Sequence, residues 1–222
     1  MTGLVVALAK GRLLDQAVDM LARVGIAVSD LDSRKLRVAD EAGSLQFLLV
    51  KPSDVPTYVE YGAADAGICG RDVLMESQAD VYEPLDLGVG SCRLVVAGKA
   101  GESDATYRSL SLVRVATKYP RSTERHFHGR GVPVELVRLS GSVELAPLVG
   151  LADHIVDLVE TGTTLRANGL EVREIIAEST ARLIVNRAAF ATKRDAIGRL
   201  IGALREAKAA RPQRTRIPSG DA

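Results

Sequence analysis

The stretch HIVDLVETGTTLRANGL, residues 154–170, carries the pattern that decides the fold. Its first six residues are mostly apolar and alternate along the chain, which predicts a β-strand over 154–159. Residues 161–164, Thr-Gly-Thr-Thr, form a turn, and a short predicted helix over 165–168 follows and is closed by Gly169. A strand, a small-residue turn and a helix N-terminus together present free backbone N–H groups and the positive end of a helix dipole. The stretch therefore predicts an anion-binding turn between a strand and a helix.

Two carboxylates stand directly before this turn, at Asp157 and Glu160. Negative side chains repel phosphate, whereas they accept hydrogen bonds from the hydroxyl groups of a neutral sugar such as ribose. The plainer alternative is an ordinary turn in which Thr163 caps the next helix, because hydroxyl residues are common at helix starts. The spacing alone leaves both interpretations open.

The composition is that of an ordinary globular protein. The 222 residues are 46% hydrophobic and 26% charged with a formal net charge of +1, so no bulk attraction to nucleic acid or membranes is indicated. Trp is absent and aromatic residues make up 4%, which disfavours base-stacking surfaces. Cys69 and Cys92 lack metal-ligand spacing and are expected to be buried thiols. Because no apolar run is long enough for a membrane span and no signal pattern is evident, we expect a soluble, cytoplasmic protein.

Strand and helix patterns alternate along the chain, which predicts an α/β fold with largely parallel sheets. The strands are too many for one doubly wound sheet, so we expect two α/β lobes. The first lobe is predicted to comprise residues 1–90 and 178–210, the second residues 91–177, and residues 211–222 a flexible tail. Ligands in such folds bind in the crevice at the carboxyl ends of the strands, so the active site is expected in the inter-lobe cleft.

Basic residues at predicted strand ends form a second group of candidates. Lys10 and Arg12 lie where the first strand passes into the first helix, an arrangement that suits a phosphate chain. Arg34 belongs to a basic cluster at the start of a predicted hairpin, and Lys51 stands at the end of another strand. The plainer interpretations are a solvated basic turn, a polar edge hairpin and a helix entry with Ser53 as the N-cap.

The segment RLSGSVELAPLVGLAD, residues 138–153, contains another small-residue loop before a predicted helix. Ser140, Gly141, Ser142 and Glu144 are therefore candidates for binding an anionic ligand. The alternative is a serine N-cap, with Glu144 favouring the helix dipole. The three histidines show no shared face, and no Ser–His–Asp or Cys–His order indicates covalent catalysis.

Several stretches, in order along the chain, together resemble the ATP phosphoribosyltransferase family. The resemblance extends from about residue 4 to about residue 186 and includes the shorter motifs ATKYP and ARLIVNR. Its principal stretches are ALAKGRL (7–13), KPSDVPTYVEYGAADAGICGRDVL (51–74), RLSGSVELAPLVGLAD (138–153) and DLVETGTTLRANGL (157–170).

This resemblance implies a reaction and a fold. Phosphoribosyl pyrophosphate (PRPP) would give its ribosyl carbon to N1 of the ATP adenine and release pyrophosphate, the first step of histidine biosynthesis. The fold would be two α/β lobes like those of type II periplasmic binding proteins. The turn Thr161, Gly162, Thr163 and Thr164 would bind the 5′-phosphate of PRPP, and Asp157 and Glu160 would face the ribose hydroxyls.

The resemblance also implies how the leaving group is stabilised. Lys10, Arg12, Arg34 and Lys51 would act on the pyrophosphate together with Mg²⁺ carried through PRPP. The family usually has Arg where this chain has Lys51, and Lys keeps the charge but loses the bidentate geometry. The metal ligands are not assigned.

The length of the chain resembles the short form of the family, which lacks a C-terminal regulatory domain. That form works with a histidyl-tRNA-synthetase-like regulatory subunit in a hetero-octamer, and alone it is expected to be a homo-oligomer. Two other functions stay open on the residues alone. One is a non-enzymatic small-ligand sensor with a periplasmic-binding-protein fold, because fold does not fix function. The other is a phosphoribosyltransferase for a different base.

Overall fold

The computed structural model describes residues 3–29, 35–101 and 112–210. The chain divides into two compact units, one of Met1–Cys69, Asp80–Gly88 and Arg182–Ala222, the other of Gly70–Ala79 and Val89–Ala181. The predicted tail lies outside the described residues. Within the described ranges, the helices are all too short or too polar to cross a lipid bilayer.

Strands and helices alternate through both units, as the sequence predicts. The strands of the described residues are β1 (Leu4–Ala9), β2 (Arg37–Ala39), β3 (Leu45–Val50), β4 (Ala66–Gly70), β5 (Tyr82–Asp86), β6 (Cys92–Lys99), β7 (Val113–Thr117), β8 (Val134–Arg138), β9 (His154–Val159), β10 (Leu170–Ser179) and β11 (Ala181–Val185). The helices are α1 (Arg12–Arg23), α2 (Val55–Glu60), α3 (Arg71–Ser77), α4 (Pro120–His128), α5 (Leu145–Leu148), α6 (Thr163–Ala167), α7 (Arg187–Thr192) and α8 (Arg194–Ala209), with a 3₁₀ turn at Pro52–Asp54.

The first unit is built on a six-stranded sheet in the order β2-β3-β1-β4-β11-β5. β1 runs parallel to both of its neighbours, β3 and β4, so the three strands end at the same edge of the sheet. Its sequence LVVALA is apolar on both faces and is almost wholly buried, as expected of a central strand in a sheet covered on both sides.

Helices pack on this sheet through apolar stripes. In α8 the buried residues Ile197, Leu200 and Leu204 recur at helical spacing, and this helix packs against α1. α2 lies so close to β4 that a Cβ atom on Gly67 would stand 2.8 Å from a methyl of Val55 and 2.9 Å from one of Val59. Only glycine therefore fits at position 67 without displacement of α2 or β4.

Polar side chains fix the C-terminal helices to the rest of the first unit. Asn186 caps α7, since its Oδ1 accepts the Ala189 N–H at 2.9 Å while its Nδ2 donates to the Val59 carbonyl at 2.8 Å. Lys193 Nζ lies 2.8 Å from Asp65 Oδ2. These bonds hold the segment after β11 against the end of α2 and the loop before β4.

The second unit is built on a five-stranded sheet in the order β10-β6-β9-β7-β8. β7 is parallel to both β8 and β9, whereas β6 is antiparallel to β9 and β10. β6 contributes Leu94 and Val96 to the core on one face and Val95 and Ala97 to the core on the other. This pattern explains its continuous apolar sequence, which a sheet covered on both faces requires.

Several elements differ from the sequence prediction. The helix predicted over 165–168 begins earlier, at Thr163, and the single helix predicted over 191–208 is divided between α7 and α8 at Lys193. Ser53 does not cap a helix, because it lies inside the 3₁₀ turn and its hydroxyl lies 2.9 Å from a carboxylate oxygen of Asp54. The edge strand β5 was not predicted.

Residues 70–79 belong to the second unit, not to the first lobe in which we expected them. The Glu76 carboxylate accepts the backbone N–H groups of Arg121 and Ser122 at 2.9 Å each, at the start of α4. It thereby satisfies two of the N–H groups that a helix N-terminus leaves free. Residues 178–181 likewise fall in the second unit, because most of them continue or follow β10.

We predict that Gly67→Ala lowers the free energy of unfolding by about 1–3 kcal/mol, because the added methyl group overlaps the side chains of Val55 and Val59. The matched control is Gly198→Ala on the exposed face of α8, where an added Cβ meets nothing within 4 Å. This control should be neutral or should stabilise by up to about 1 kcal/mol. Chemical denaturation of both variants tests the prediction, and equal effects would contradict it.

Candidate active site

Three neighbouring parallel strands of the second unit bring candidate residues to one edge of its sheet. Thr117, the last residue of β7, pairs with Arg138, the last residue of β8, and with Val156 in β9, which continues to Val159. The backbone N–H of Leu139 donates to the Thr117 carbonyl at 3.0 Å, which continues this alignment beyond the strands. The segments that follow the three strands are therefore neighbours, with Lys118 and Tyr119 in the middle.

The turn after β9 has the backbone geometry that its sequence predicts. Gly162 is the N-cap of α6 and has φ 74°, a left-handed conformation that glycine adopts without strain. The hydroxyl oxygens of Thr161 and Thr163 lie 3.0 Å apart, and Arg166 Nη2 donates to the Thr161 carbonyl at 3.1 Å. Thr163 and Thr164 are exposed. Thr163 is the first residue of α6 and Gly162 occupies the N-cap position, so the alternative in which Thr163 serves as the cap does not apply.

Asp157 occupies a buried position in β9 and is 8% exposed. Its Oδ1 accepts the Leu158 backbone N–H at 2.7 Å and lies 3.1 Å from Lys118 Nζ. Glu160, at the start of the turn, is exposed. The two predicted ribose-binding carboxylates thus lie in different environments, one ion-paired and buried, the other at the surface.

A buried polar network lies next to the ion pair. The Tyr119 hydroxyl donates to Asp72 Oδ2 at 3.4 Å, and the Ser179 hydroxyl donates to Asp72 Oδ1 at 2.7 Å. Burial, followed by the negative charges of Asp72 and Asp157, raises the pKa of Tyr119 well above its usual value. Tyr119 therefore remains a neutral hydrogen-bond donor.

The loop after β8 contains a backbone conformation that is rare for its residue type. Ser142 has φ 48°, in the left-handed region, and such conformations cluster at functional sites. Ser140, Gly141 and Ser142 are exposed. Glu144 occupies the N-cap position of α5, so neither serine stands at the capping position of the plainer alternative.

The first unit gathers basic residues at the carboxyl edge of its own sheet. The Lys10 backbone N–H donates to the Val50 carbonyl at 2.8 Å, which places Lys10 beside Lys51. Gly11, with φ 92° and ψ −157°, adopts a conformation that is essentially restricted to glycine, and Arg12 begins α1 directly after it. Lys10, Arg12 and Lys51 are exposed. Arg34 lies outside the described residues.

Sequence reasoning missed the residues that support the predicted site. Lys118, Tyr119, Asp72 and Ser179 were not proposed, although Lys118 stands directly after an apolar strand, the same signal that identified Lys51. Asp72 and Ser179 are 107 positions apart, so their contact was not visible in the sequence.

Comparison with known proteins identifies the family. The family described as HisG: ATP phosphoribosyltransferase matches residues 51–206. The ATP phosphoribosyltransferase of Geobacter metallireducens is 50% identical over 204 residues, which cover 90% of this chain and 96% of that protein. That of Syntrophotalea carbinolica is 53% identical over 199 residues, covering 88% of this chain and 90% of that protein.

The chain belongs to the ATP phosphoribosyltransferase family.

Solved structures agree with this ATP phosphoribosyltransferase fold. The ATP phosphoribosyl transferase (HisG:HisZ) complex from Thermotoga maritima contains a chain of 34% identity and TM-score 0.82, covering 93% of this chain and 99% of that chain. The aliphatic sulphonate binding protein SsuA from Escherichia coli, at 16% identity, has TM-score 0.59 and covers 93% of this chain and 68% of its own. The second similarity concerns the fold alone and confirms the α/β class like that of periplasmic binding proteins.

Membership of this ATP phosphoribosyltransferase family makes the chain an enzyme of phosphoribosyl transfer. The alternative of a non-enzymatic sensor is therefore not favoured. The roles of individual residues stay predictions.

We predict that Tyr119 remains protonated while exposed tyrosines ionise. In a near-ultraviolet titration of the folded protein up to about pH 11, the Tyr119→Phe variant should form as many tyrosinates as the wild type. Tyr61→Phe is the control, because this side chain is 82% exposed and its loss should remove one tyrosinate.

The same shift predicts how stability depends on pH. The folded state keeps the Tyr119 proton that the unfolded chain releases near pH 10, so this contribution to stability is lost as the pH rises above about 10. The stability of the Tyr119→Phe variant should not show this decrease above about pH 10. A tyrosinate count that is one lower in Tyr119→Phe below about pH 11 would contradict both expectations.

Proposed function

We propose that this enzyme transfers the 5-phosphoribosyl group of PRPP to N1 of ATP, giving N1-(5-phosphoribosyl)-ATP and pyrophosphate, the first step of histidine biosynthesis. The observation that carries the proposal is 50% identity to a named ATP phosphoribosyltransferase over 90% of the chain. The glycine-centred turn after β9 supports it, because exposed hydroxyls and backbone N–H groups suit a phosphate group.

The geometry of the second unit supports the proposed donor-binding roles. The turn Thr161, Gly162, Thr163 and Thr164 binds the 5′-phosphate of PRPP, and Asp157 and Glu160 face the ribose hydroxyls. Substitution at the ribosyl carbon develops positive charge on the sugar, which nearby negative charge stabilises. Glu160 is exposed, whereas the charge of Asp157 is compensated by Lys118, so the two acids are not equivalent.

The leaving pyrophosphate gains negative charge as its bond to the ribosyl carbon breaks. Lys10, Arg12, Arg34 and Lys51 are the proposed catalytic cations, and each lost contact would cost on the order of 2–4 kcal/mol, by analogy with oxyanion-hole donors. The adjacency of Lys10 and Lys51 supports a shared role for these two.

A magnesium ion, when bound, would neutralise part of the pyrophosphate charge. Among the described residues, no three His, Cys, Asp or Glu side chains converge on one point. Mg²⁺ is usually held chiefly by substrate phosphates and water, an arrangement that needs no such cluster of side chains. We therefore assign no residue of this chain to the ion.

The acceptor needs binding and orientation rather than deprotonation, because adenine N1 is unprotonated at neutral pH. We assign Ser140, Gly141, Ser142 and Glu144 to nucleotide binding, on the strength of the strained backbone at Ser142. Rate enhancement would then come from positioning and electrostatics. ATP and PRPP are highly charged and do not cross membranes, so we expect the reaction to take place in the cytoplasm.

The direct test is the ultraviolet absorbance of the purified protein mixed with ATP, PRPP and Mg²⁺. Ribosylation at N1 alters the adenine chromophore, so absorbance should rise only when both substrates are present. Replacing ATP by GTP separates this function from transfer to another base. No change with ATP at any enzyme concentration would reject the proposal.

Replacing Thr163 and Thr164 together by Val should raise the KM for PRPP by roughly tenfold or more, because hydrogen bonds to a charged phosphate are lost. The KM for ATP should change little. Thr57→Val, at an exposed position of α2, is the matched control. An unchanged KM for PRPP would remove the phosphate-binding role from the turn.

We also propose that the chain works with a regulatory subunit. It spans 99% of the chain in the Thermotoga maritima HisG:HisZ complex and 96% of the Geobacter metallireducens relative. This support favours the short form of the family, assembled as a hetero-octamer with a histidyl-tRNA-synthetase-like partner.

The isolated chain should then be insensitive to histidine, because the regulatory site would belong to the partner. Activity measured across a histidine titration, with and without an added partner subunit, tests this expectation. Tight inhibition of the chain by itself would show that it carries its own histidine site.

A further inference from the structure

Lys118 occupies a central position at the carboxyl edge of the second sheet. It follows β7, which lies between β9 and β8. Adjacent strands are about 4.8 Å apart, so Lys118 stands between Asp157 of β9 and the loop that follows β8. Its side chain is 39% exposed, and its ammonium lies 5.5 Å from the centre of the Tyr119 ring.

The contacts of Asp157 divide its two carboxylate oxygens. Oδ1 accepts the Leu158 N–H at 2.7 Å and lies 3.1 Å from the Lys118 ammonium. Within the described ranges, Oδ2 has no hydrogen-bond partner, and it is not completely buried. One oxygen is thus held by the protein, while the other keeps its capacity to accept a hydrogen bond.

We propose that Lys118 is a positioning residue that holds Asp157 so that Oδ2 accepts a ribose hydroxyl. The inference rests on the proposed ribose-binding role of Asp157. The bond from Leu158 alone leaves the carboxylate free to rotate about its side chain, whereas a second contact on the same oxygen fixes its orientation. The Lys118 ammonium also offsets the charge of Asp157, so this carboxylate acts on the sugar chiefly as a hydrogen-bond acceptor.

The test compares two ligands that share a phosphate and a five-membered ring. Ribose 5-phosphate carries the ring hydroxyls, and tetrahydrofurfuryl phosphate lacks them. Calorimetric titration should show that the wild type prefers ribose 5-phosphate by roughly tenfold or more, because an acceptor left without its hydroxyl is costly. Lys118→Met should reduce this preference to about threefold or less. Lys118→Arg keeps the positive charge and should therefore retain most of the preference.

Three controls separate the possible causes. Lys99→Met removes an exposed lysine elsewhere on the same sheet and should leave the preference unchanged. The double change Thr163→Val with Thr164→Val should weaken the binding of both ligands equally and should also preserve the preference. In Asp157→Asn, the further change Lys118→Met should cause no additional loss of preference, since both act on one contact.

The outcomes are distinct. A wild type that binds both ligands equally would overturn the ribose contact of Asp157 and the inference with it. A wild-type preference that persists in Lys118→Met would overturn the positioning role alone. Equal weakening of both ligands by Lys118→Met would also overturn it, because Lys118 would then contact the phosphate. If Lys118→Met is unstable, Lys118→Gln provides the same comparison.

Discussion

The parallel pairing of β7 with both β8 and β9 is the constraint on which the second unit depends. Parallel strands end at the same edge, so the segments after all three strands are neighbours although 22 positions separate Leu139 from Thr161. The pairing places an ammonium, a buried carboxylate and a glycine-centred turn side by side. Neither the turn nor the acid alone specifies a ligand, whereas together they suit a phosphorylated sugar.

Electrostatics gives the neighbouring groups different roles. A buried carboxylate is costly unless it is paired, and Lys118 supplies the pairing for Asp157. Asp72 satisfies the same requirement with the hydroxyls of Ser179 and Tyr119. Among the described residues, the first network leaves Oδ2 of Asp157 without a hydrogen bond, whereas the second occupies both oxygens of Asp72. The proposed donor site therefore rests on a buried polar layer that keeps Tyr119 neutral.

Elements that are buried on both faces were predictable from the sequence, because their apolar runs allow few alternatives. β1, with its following Lys-Gly-Arg segment, and β9, with its turn, are examples. β5 was not predictable, because it is a half-exposed edge strand interrupted by Pro84, which an edge position tolerates. The division at Lys193 was missed because the helical pattern continues through it.

The candidate site was predictable in part for a related reason. Local patterns identified the turn Thr161–Thr164 and the basic residues at strand ends. The contacts of Lys118 with Asp157 and of Tyr119 with Asp72 depend on strand order and on the placement of α3, which local patterns do not contain. The resemblance to the family supplied the reaction, and the strand order supplied the supporting residues.

The most direct test of the central claim is a crystal structure of the protein with PRPP. The 5′-phosphate should lie on the backbone N–H groups and hydroxyls of residues 161–164, with a ribose hydroxyl on the open oxygen of Asp157. Electron density for the sugar phosphate at another place, with this turn in contact with water only, would contradict the account.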